Sequence, residues 1–202
     1  NRSSDLLYTA TTAAQQTKDL ADNETFTADA SNTLENTRFD ASRKSGVELR
    51  IGRNLLYDNK EPIEFNEAES SIVKILSDVE IKGEDNIVSA VNYNGGSSST
   101  LQNAGKIITV DNTIDLQNAK NFTLVNEKNA VISSTGESIT ANRGNGNIIN
   151  AGVIESATES AITDDGLKPV DITNTGTISG DQETTPTPAL WSGSMGAGPA
   201  RG

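Results

Sequence analysis

Cysteine and histidine are both absent from the 202-residue chain. Without cysteine there are no disulfides and no thiolate-bound metals, so stability has to come from backbone pairing and packing. Without histidine there are no His-based triads or His zinc sites, and the commonest general base is missing. Aromatic residues make up only 4% and hydrophobic residues 34%. Ordinary globular chains reach ~45–50%, an average that also counts glycine. No apolar run approaches ~18 residues, which rules out a membrane-spanning helix. An excess of positive charge is missing too. The 16 Lys and Arg face 28 Asp and Glu, a net charge of -12. A chain this acidic repels phosphate, so nucleic acid is not an expected partner. The chain starts at Asn1, without Met and without a charged-then-apolar leader. It is therefore expected to be a processed or excised product.

The acidic residues are concentrated in one block: Glu61, Glu64, Glu67, Glu69, Asp78, Glu80, Glu84 and Asp85. A solvated face is the expected reading of such a run. A divalent-cation site would call for an Asp-x-Asp-x-Asp-Gly loop or Gly-rich nonapeptides, and the block contains neither.

Composition divides the chain into an N-terminal arm (1–45), a patterned region (46–180) and a Thr/Pro/Gly-rich tail (181–202). In the arm, Leu6, Leu7, Ala10, Ala13, Ala14 and Leu20 roughly follow helical spacing, with Ser4 as a cap, so a short helix is expected there. From Gly46 the pattern changes. Val47, Leu49 and Ile51 alternate with Glu48, Arg50 and Gly52, as in a half-buried strand.

Residues 70–180 repeat. The phrases Leu101-Gln-Asn-Ala-Gly-Lys-Ile107, Leu124-Val-Asn126 continuing to Val131-Ile132, Ile149-Asn-Ala-Gly-Val-Ile154 and Ile172-Thr-Asn-Thr-Gly-Thr-Ile178 resemble one another. Asparagines fall at 103, 126, 150 and 174, and the following isoleucines at 107, 132, 154 and 178. A second isoleucine trails at 114, 139 and 162. A fixed period in the low twenties means stacked structural repeats.

The residue types say which repeat. The apolar positions are mostly Ile and Val, which favour strands. They sit singly or in pairs between Asn, Gly, Ser, Thr and Asp, and no helical or Leu-x-x-Leu-x-Leu pattern runs through them. Three short strands per repeat, joined by tight turns, give an all-β, right-handed parallel β-helix (β-solenoid) with coils of about 24 residues. Its core is a narrow column of aliphatic ladders, which accounts for the few aromatics. Ile107, Ile132, Ile154 and Ile178 are expected to form one buried ladder, and Ile114, Ile139 and Ile162 a second. Asn103, Asn126, Asn150 and Asn174 are expected to form a turn ladder. Asparagine tolerates left-handed backbone and can bond a stacked copy above it, while the glycine admits the sharp corner.

The phrases Ile149-Asn-Ala-Gly-Val-Ile154 and Ile172-Thr-Asn-Thr-Gly-Thr-Ile178-Ser-Gly resemble the Ile-x-Asn-x-Gly-x-Ile-x-Gly repeats of bacterial autotransporter passenger domains and related secreted adhesins. The resemblance covers about residues 100–180. It implies a right-handed β-helix that is secreted, extracellular or displayed on the bacterial cell surface, in a cysteine-poor family like this chain.

β-Helices also host polysaccharide lyases and hydrolases, whose carboxylates stack on one face. The place of Asp115 in the next coils is taken by Thr140 and Thr163, so no acid ladder is expected. Asp164-Asp165-Gly166 reads as a turn. No catalytic, cofactor-binding or metal-ligating residue is assigned, and no cofactor is expected. The expectation is a non-enzymatic subunit of a surface filament or coat, formed by self-association into a homopolymer. An adhesin passenger that binds a host protein or glycan is the alternative, with a polysaccharide-degrading enzyme behind it. Leu6, Leu7 and Tyr8 in the arm and Leu190 and Trp191 in the tail are the expected assembly contacts, because an exposed sheet edge can accept a neighbour's strand.

Overall fold

The structure, a computed structural model, describes residues 14–57, 60–84, 90–181 and 191–192. Every regular element in it is a strand. The first turn of the chain lays down β1 (Gln16–Asp19) and β2 (Thr25–Ala28). The second holds β3 (Thr37–Asp40), β4 (Glu48–Ile51) and β5 (Leu55–Tyr57), and the third β6 (Ile63–Glu64), β7 (Ile72–Ile75) and β8 (Glu80–Gly83). The fourth holds β9 (Val91–Asn92), β10 (Thr100–Asn103) and β11 (Lys106–Thr109). The fifth has β12 (Ile114–Asp115), β13 (Phe122–Asn126) and β14 (Val131–Ser134). The sixth has β15 (Ile139–Thr140), β16 (Gly146–Asn150) and β17 (Val153–Ser156). The seventh has β18 (Ile162–Thr163), β19 (Val170–Asn174) and β20 (Thr177–Ser179), followed by β21 (Trp191–Ser192).

Strands of successive turns pair side by side into three sheets. The first runs β1-β3-β6-β9-β12-β15-β18, the second β2-β4-β7-β10-β13-β16-β19-β21 and the third β5-β8-β11-β14-β17-β20. Every pairing is parallel. The fold is a parallel β-solenoid of seven coils, each about 24 residues long.

The register is set by side chains that must point inward in every coil. One column in the second sheet runs Phe26, Leu49, Val73, Leu101, Leu124, Ile148 and Ile172. In the third sheet Ile107, Ile132, Ile154 and Ile178 align, with Ile81 and Leu55 beneath them. In the first sheet Ile114, Ile139 and Ile162 align, continuing down through Val91 and Ile63 to Phe39. Nearly all of these side chains are fully buried; Phe26 and Ile178, in the first and last coils, are half-buried. The few aromatics are grouped low in the stack. Phe65 meets Tyr93 edge-on at 5.5 Å, and the Tyr93 hydroxyl donates to the Thr100 carbonyl at 3.0 Å.

Two expectations change. Residues 16–45 were assigned to an arm, yet they build the first coil and begin the second. Their columns carry Phe26, Ala28 and Phe39 in place of Ile and Val, so the aliphatic period does not reach them. Where the helical spacing reaches the described residues it gives way to a strand. Gln16–Asp19 is a strand in register with Thr37–Asp40, whose backbone offers it a parallel partner. Residues 1–13, including Leu6, Leu7 and Tyr8, lie outside the described residues, and so does Leu190.

The corner between the first and second sheets repeats a left-handed residue in coil after coil. Arg43, Glu67, Gly95, Asn118, Arg143 and Gly166 form one column of positive φ, from +56° to +69°. Asn23, Gly46, Ser70, Ser98 and Asn121 form a second. Most of these are not glycine, and each such residue costs roughly 1–2 kcal/mol. The stacked coils repay that cost through inter-coil bonds such as Glu67 N–H to Asn94 O (2.8 Å) and Asn118 N–H to Asn142 O (3.0 Å).

Candidate functional site

The asparagine column is the most ordered polar feature. Asn103, Asn126, Asn150 and Asn174 close successive strands of the second sheet in one register. All four side chains are buried. The Nδ2 of each donates to the Oδ1 of the next: Asn103 to Asn126 at 2.9 Å, Asn126 to Asn150 at 2.8 Å and Asn150 to Asn174 at 2.8 Å. Nδ2 also reaches carbonyls at the start of the third sheet one coil up, Val131, Val153 and Thr177, at 3.2, 3.0 and 3.0 Å. Oδ1 of Asn103, Asn150 and Asn174 accepts the N–H of the glycine two residues on, at 3.1–3.2 Å.

The expected left-handed role does not apply to these four asparagines, since none has positive φ. Their glycine partners matter for space. A Cβ on Gly152 would overlap the carbonyl oxygens of Ala130 and Glu127, and one on Gly176 that of Gly152. Below Asn103 the column continues as Ile75, Ile51 and Ala28, so the amide ladder rests on an apolar base.

A second polar row lies on the outer face of the first sheet, and the sequence reading did not find it. Asp19, Asp40, Glu64, Asn92, Asp115, Thr140 and Thr163 share one register. Acids therefore do stack, in the coils below residue 100. The expectation that they do not came from the upper coils, where threonines replace them. The missed signal is a phrase of apolar residue, then Asp, Glu or Asn, then apolar residue, then polar. It reads Phe39-Asp-Ala-Ser, Ile63-Glu-Phe-Asn, Val91-Asn-Tyr-Asn and Ile114-Asp-Leu-Gln.

Four members of the row cap their own turns. The N–H groups of Ser42, Asn66, Asn94 and Gln117 donate to Asp40, Glu64, Asn92 and Asp115 at 2.9, 3.2, 2.9 and 2.9 Å. Coils are also tied to one another. Asn92 Nδ2 donates to both oxygens of Glu64 at 3.1 and 3.3 Å, and Asn94 Nδ2 to Asp115 at 3.4 Å. Arg38 lies 3.1 Å from Asp40 and 3.5 Å from Glu64.

The acidities diverge along the row. Burial raises Glu64 above the ordinary carboxylate range, and Glu61 adds to this, while Arg38 and the bonds from Asn92 and Asn66 oppose it. Asp115 is raised chiefly by burial, against bonds from Gln117 and Asn94. Asp40 is pushed up by burial but pulled below its usual value by Ser42 and Arg38 together. The row can therefore hold a proton more readily at Glu64 and Asp115 than at Asp40. Each of these three carboxylates is also engaged in holding a turn or a neighbouring coil.

The acidic block does not form one site. Glu64 belongs to the first sheet with Glu61 just before it, Glu67 and Glu69 lie on the corner that follows, Asp78 lies in the link between the second and third sheets, and Glu80 opens β8 of the third. No group of three or more acids among the described residues is placed to hold a metal ion. Asp164 and Asp165 accept the N–H groups of Gly166 and Leu167, each at 3.2 Å, with Gly166 at φ +69°, the geometry of a turn. Burial raises Asp164, while bonds from the Arg143 and Leu167 backbone lower Asp165. In the tail, β21 adds in parallel to β19, pairing Trp191 with Ile172 and Ser192 with Thr173.

The fold and its ladders define the class: a parallel β-solenoid protein with buried amide and outer carboxylate rows. No family model, no curated protein and no solved structure matches the chain.

Proposed function

We propose that this chain is a non-enzymatic extracellular scaffold, a subunit of a bacterial surface filament or coat that assembles through contacts between copies. The observation that carries this reading is the unbroken register of the coils, from Phe26 to Ile172 in one column and from Leu55 to Ile178 in another. Repeated parallel pairing gives a stiff rod whose length follows from coil number. Such an element suits spacing and stacking. The pairing of Trp191–Ser192 with β19 occupies an edge of the second sheet with the chain's own tail. Assembly therefore proceeds by exchange of that tail between copies or by contacts at other surfaces. Negative-stain microscopy and size-exclusion chromatography over a range of concentrations test the reading. Rods or fibres from the full chain, lost on deleting residues 182–202 while the core stays folded, are the expected result. A full-length chain that stays monomeric at high concentration overturns it and leaves the monomeric adhesin in front.

A further inference from the structure

The links between the second and third sheets differ in length from coil to coil. Leu76–Val79 in the third coil and Glu127–Ala130 in the fifth have four residues, while Ala104–Gly105 between them has only two. Each long link closes as a tight turn, Val79 N–H to Leu76 O at 3.3 Å and Ala130 N–H to Glu127 O at 3.0 Å. Each carries a left-handed third residue, Asp78 at φ +65° and Asn129 at φ +70°. The short link is thus recessed between two projecting ones. With coils rising ~4.8 Å each, the walls stand roughly 10 Å apart. The resulting cleft has a volume of about 550 Å³, within the range of ligand sites.

Four of the five lining charges are sorted by coil. Asp78 and Glu80 come from the lower wall, Lys106 from the floor and Lys128 from the upper wall, while Glu127, also on the upper wall, is engaged by Gln102, whose Nε2 donates to its Oε1. Lys106 and Glu80 are register partners. Even so, none of these four side chains makes an ion pair among the described residues. On the second sheet comparable charges do pair, as Glu48 does with Arg50 at 2.8 Å and Lys74 at 3.2 Å.

We propose that this notch is a binding site for an extended peptide segment that carries a basic and an acidic side chain two residues apart. In an extended chain those side chains lie on one face roughly 6.5–7 Å apart. That separation matches the one to two coil rises between the acidic and basic walls. The basic group meets Asp78 and Glu80, and the acidic group meets Lys106 and Lys128. The site does not depend on self-assembly and would function equally on a monomer.

The test uses the full chain, 15N-labelled, titrated with acetyl-Lys-Ala-Glu-amide, with acetyl-Ala-Ala-Ala-amide as control. Amide shifts confined to residues 77–80, 104–106 and 128–129 are expected at about 5 mM peptide, the range of a weak exposed site. They should collapse at about 0.5 M NaCl, where screening acts within a few ångström. The paired change Lys106→Gln and Lys128→Gln should weaken binding at least about tenfold while the rest of the spectrum stays in place. These surface changes touch no core column, so a preserved spectrum separates loss of binding from loss of fold. Absence of localised shifts, or equal shifts with the alanine peptide, overturns the proposal.

Discussion

Replacing Asn150 by alanine removes a side chain joined to three successive coils. Its Nδ2 donates to Asn174 Oδ1 at 2.8 Å, Thr177 O at 3.0 Å and Gly152 O at 3.2 Å. Its Oδ1 accepts from Asn126 Nδ2 at 2.8 Å and Gly152 N–H at 3.2 Å. The residue is 1% exposed, so water cannot replace the lost partners. A typical hydrogen bond contributes a net ~0.5–1.5 kcal/mol, and each buried group left unsatisfied costs ~1–3 kcal/mol. Asn126 Nδ2 keeps the carbonyls of Val153 and Ala130, but Gly152 N–H and Asn174 Oδ1 lose a bond with less in reserve. The expected loss is therefore about 3–5 kcal/mol, a large share of the ~5–15 kcal/mol that holds a domain together. Asn150→Asp should cost at least as much, because a carboxylate cannot donate to Asn174. Urea denaturation followed by circular dichroism gives the overall change. Amide hydrogen exchange at Gly152 and Gly176 reports whether the opening is local, since long repeat arrays lose all-or-none cooperativity. A loss below about 1 kcal/mol for both variants, at unchanged m-value, would refute the argument that buried amide bonds fix the register.

Further outcomes are expected. Ile132→Ala should cost ~2–5 kcal/mol in the same assay, and Lys120→Ala, on an exposed corner, within ~0.5 kcal/mol of zero. Gly152→Ala should cost about 1–3 kcal/mol through overlap with the neighbouring coil's carbonyls, shown by a lowered thermal midpoint. Glu64→Gln tests the outer row by its pH dependence. Because burial raises Glu64 in the folded state, its charged form costs stability above the folded pKa, and that cost vanishes as pH falls below the unfolded value. The parent's stability should therefore carry a component that falls as pH rises through the Glu64 titration, and urea unfolding across pH should show that component missing in the variant. Asp40 and Glu48 are held below their usual range, Glu48 by Arg50 and Lys74, so they work in the opposite sense and lose stability as pH falls.

The fold was legible wherever the period was regular. From Asn103 to Asn174 the steps are 23, 24 and 24 residues, and the Ile and Asn columns can be counted off from the sequence alone. Legibility failed for two reasons. Val73 and Leu101 are register partners 28 residues apart, and that longer step hides the continuity of the lower coils. Below it the columns carry Phe39, Phe65, Tyr93 and Thr37, so a search for β-branched aliphatics passes over them. The outer carboxylate row was lost for the same reason. Asp115 looked isolated because its direct partner Asn92 is not an acid, and the acids Glu64 and Asp40 lie on the far side of the irregular step. The asparagines were recognised as a ladder, but the chemistry assigned to them belonged to a different set. Left-handed backbone is carried by Asn23, Asn118, Asn121 and Asn129 at the corners, while the strand-ending asparagines use their amides. Sequence spacing locates a residue on the coil, but whether its side chain turns inward or outward depends on a register that only the neighbouring coils define.

The irregular step has an evolutionary meaning. Val73 and Leu101 keep their partnership across extra residues because the surplus is placed between strands, leaving every inward column intact. Length changes of this kind are invisible to the core, whereas one residue added inside Leu124–Asn126 would turn three stacked side chains to the wrong face. Whole coils are equally portable: removing one full period joins Asn126 to Asn174 and leaves a shorter ladder of the same kind. The molecule is thus modular at two scales, in units of one coil along its axis and of single residues at its corners. A lineage that carries it can vary its reach and its surface independently, through different classes of mutation.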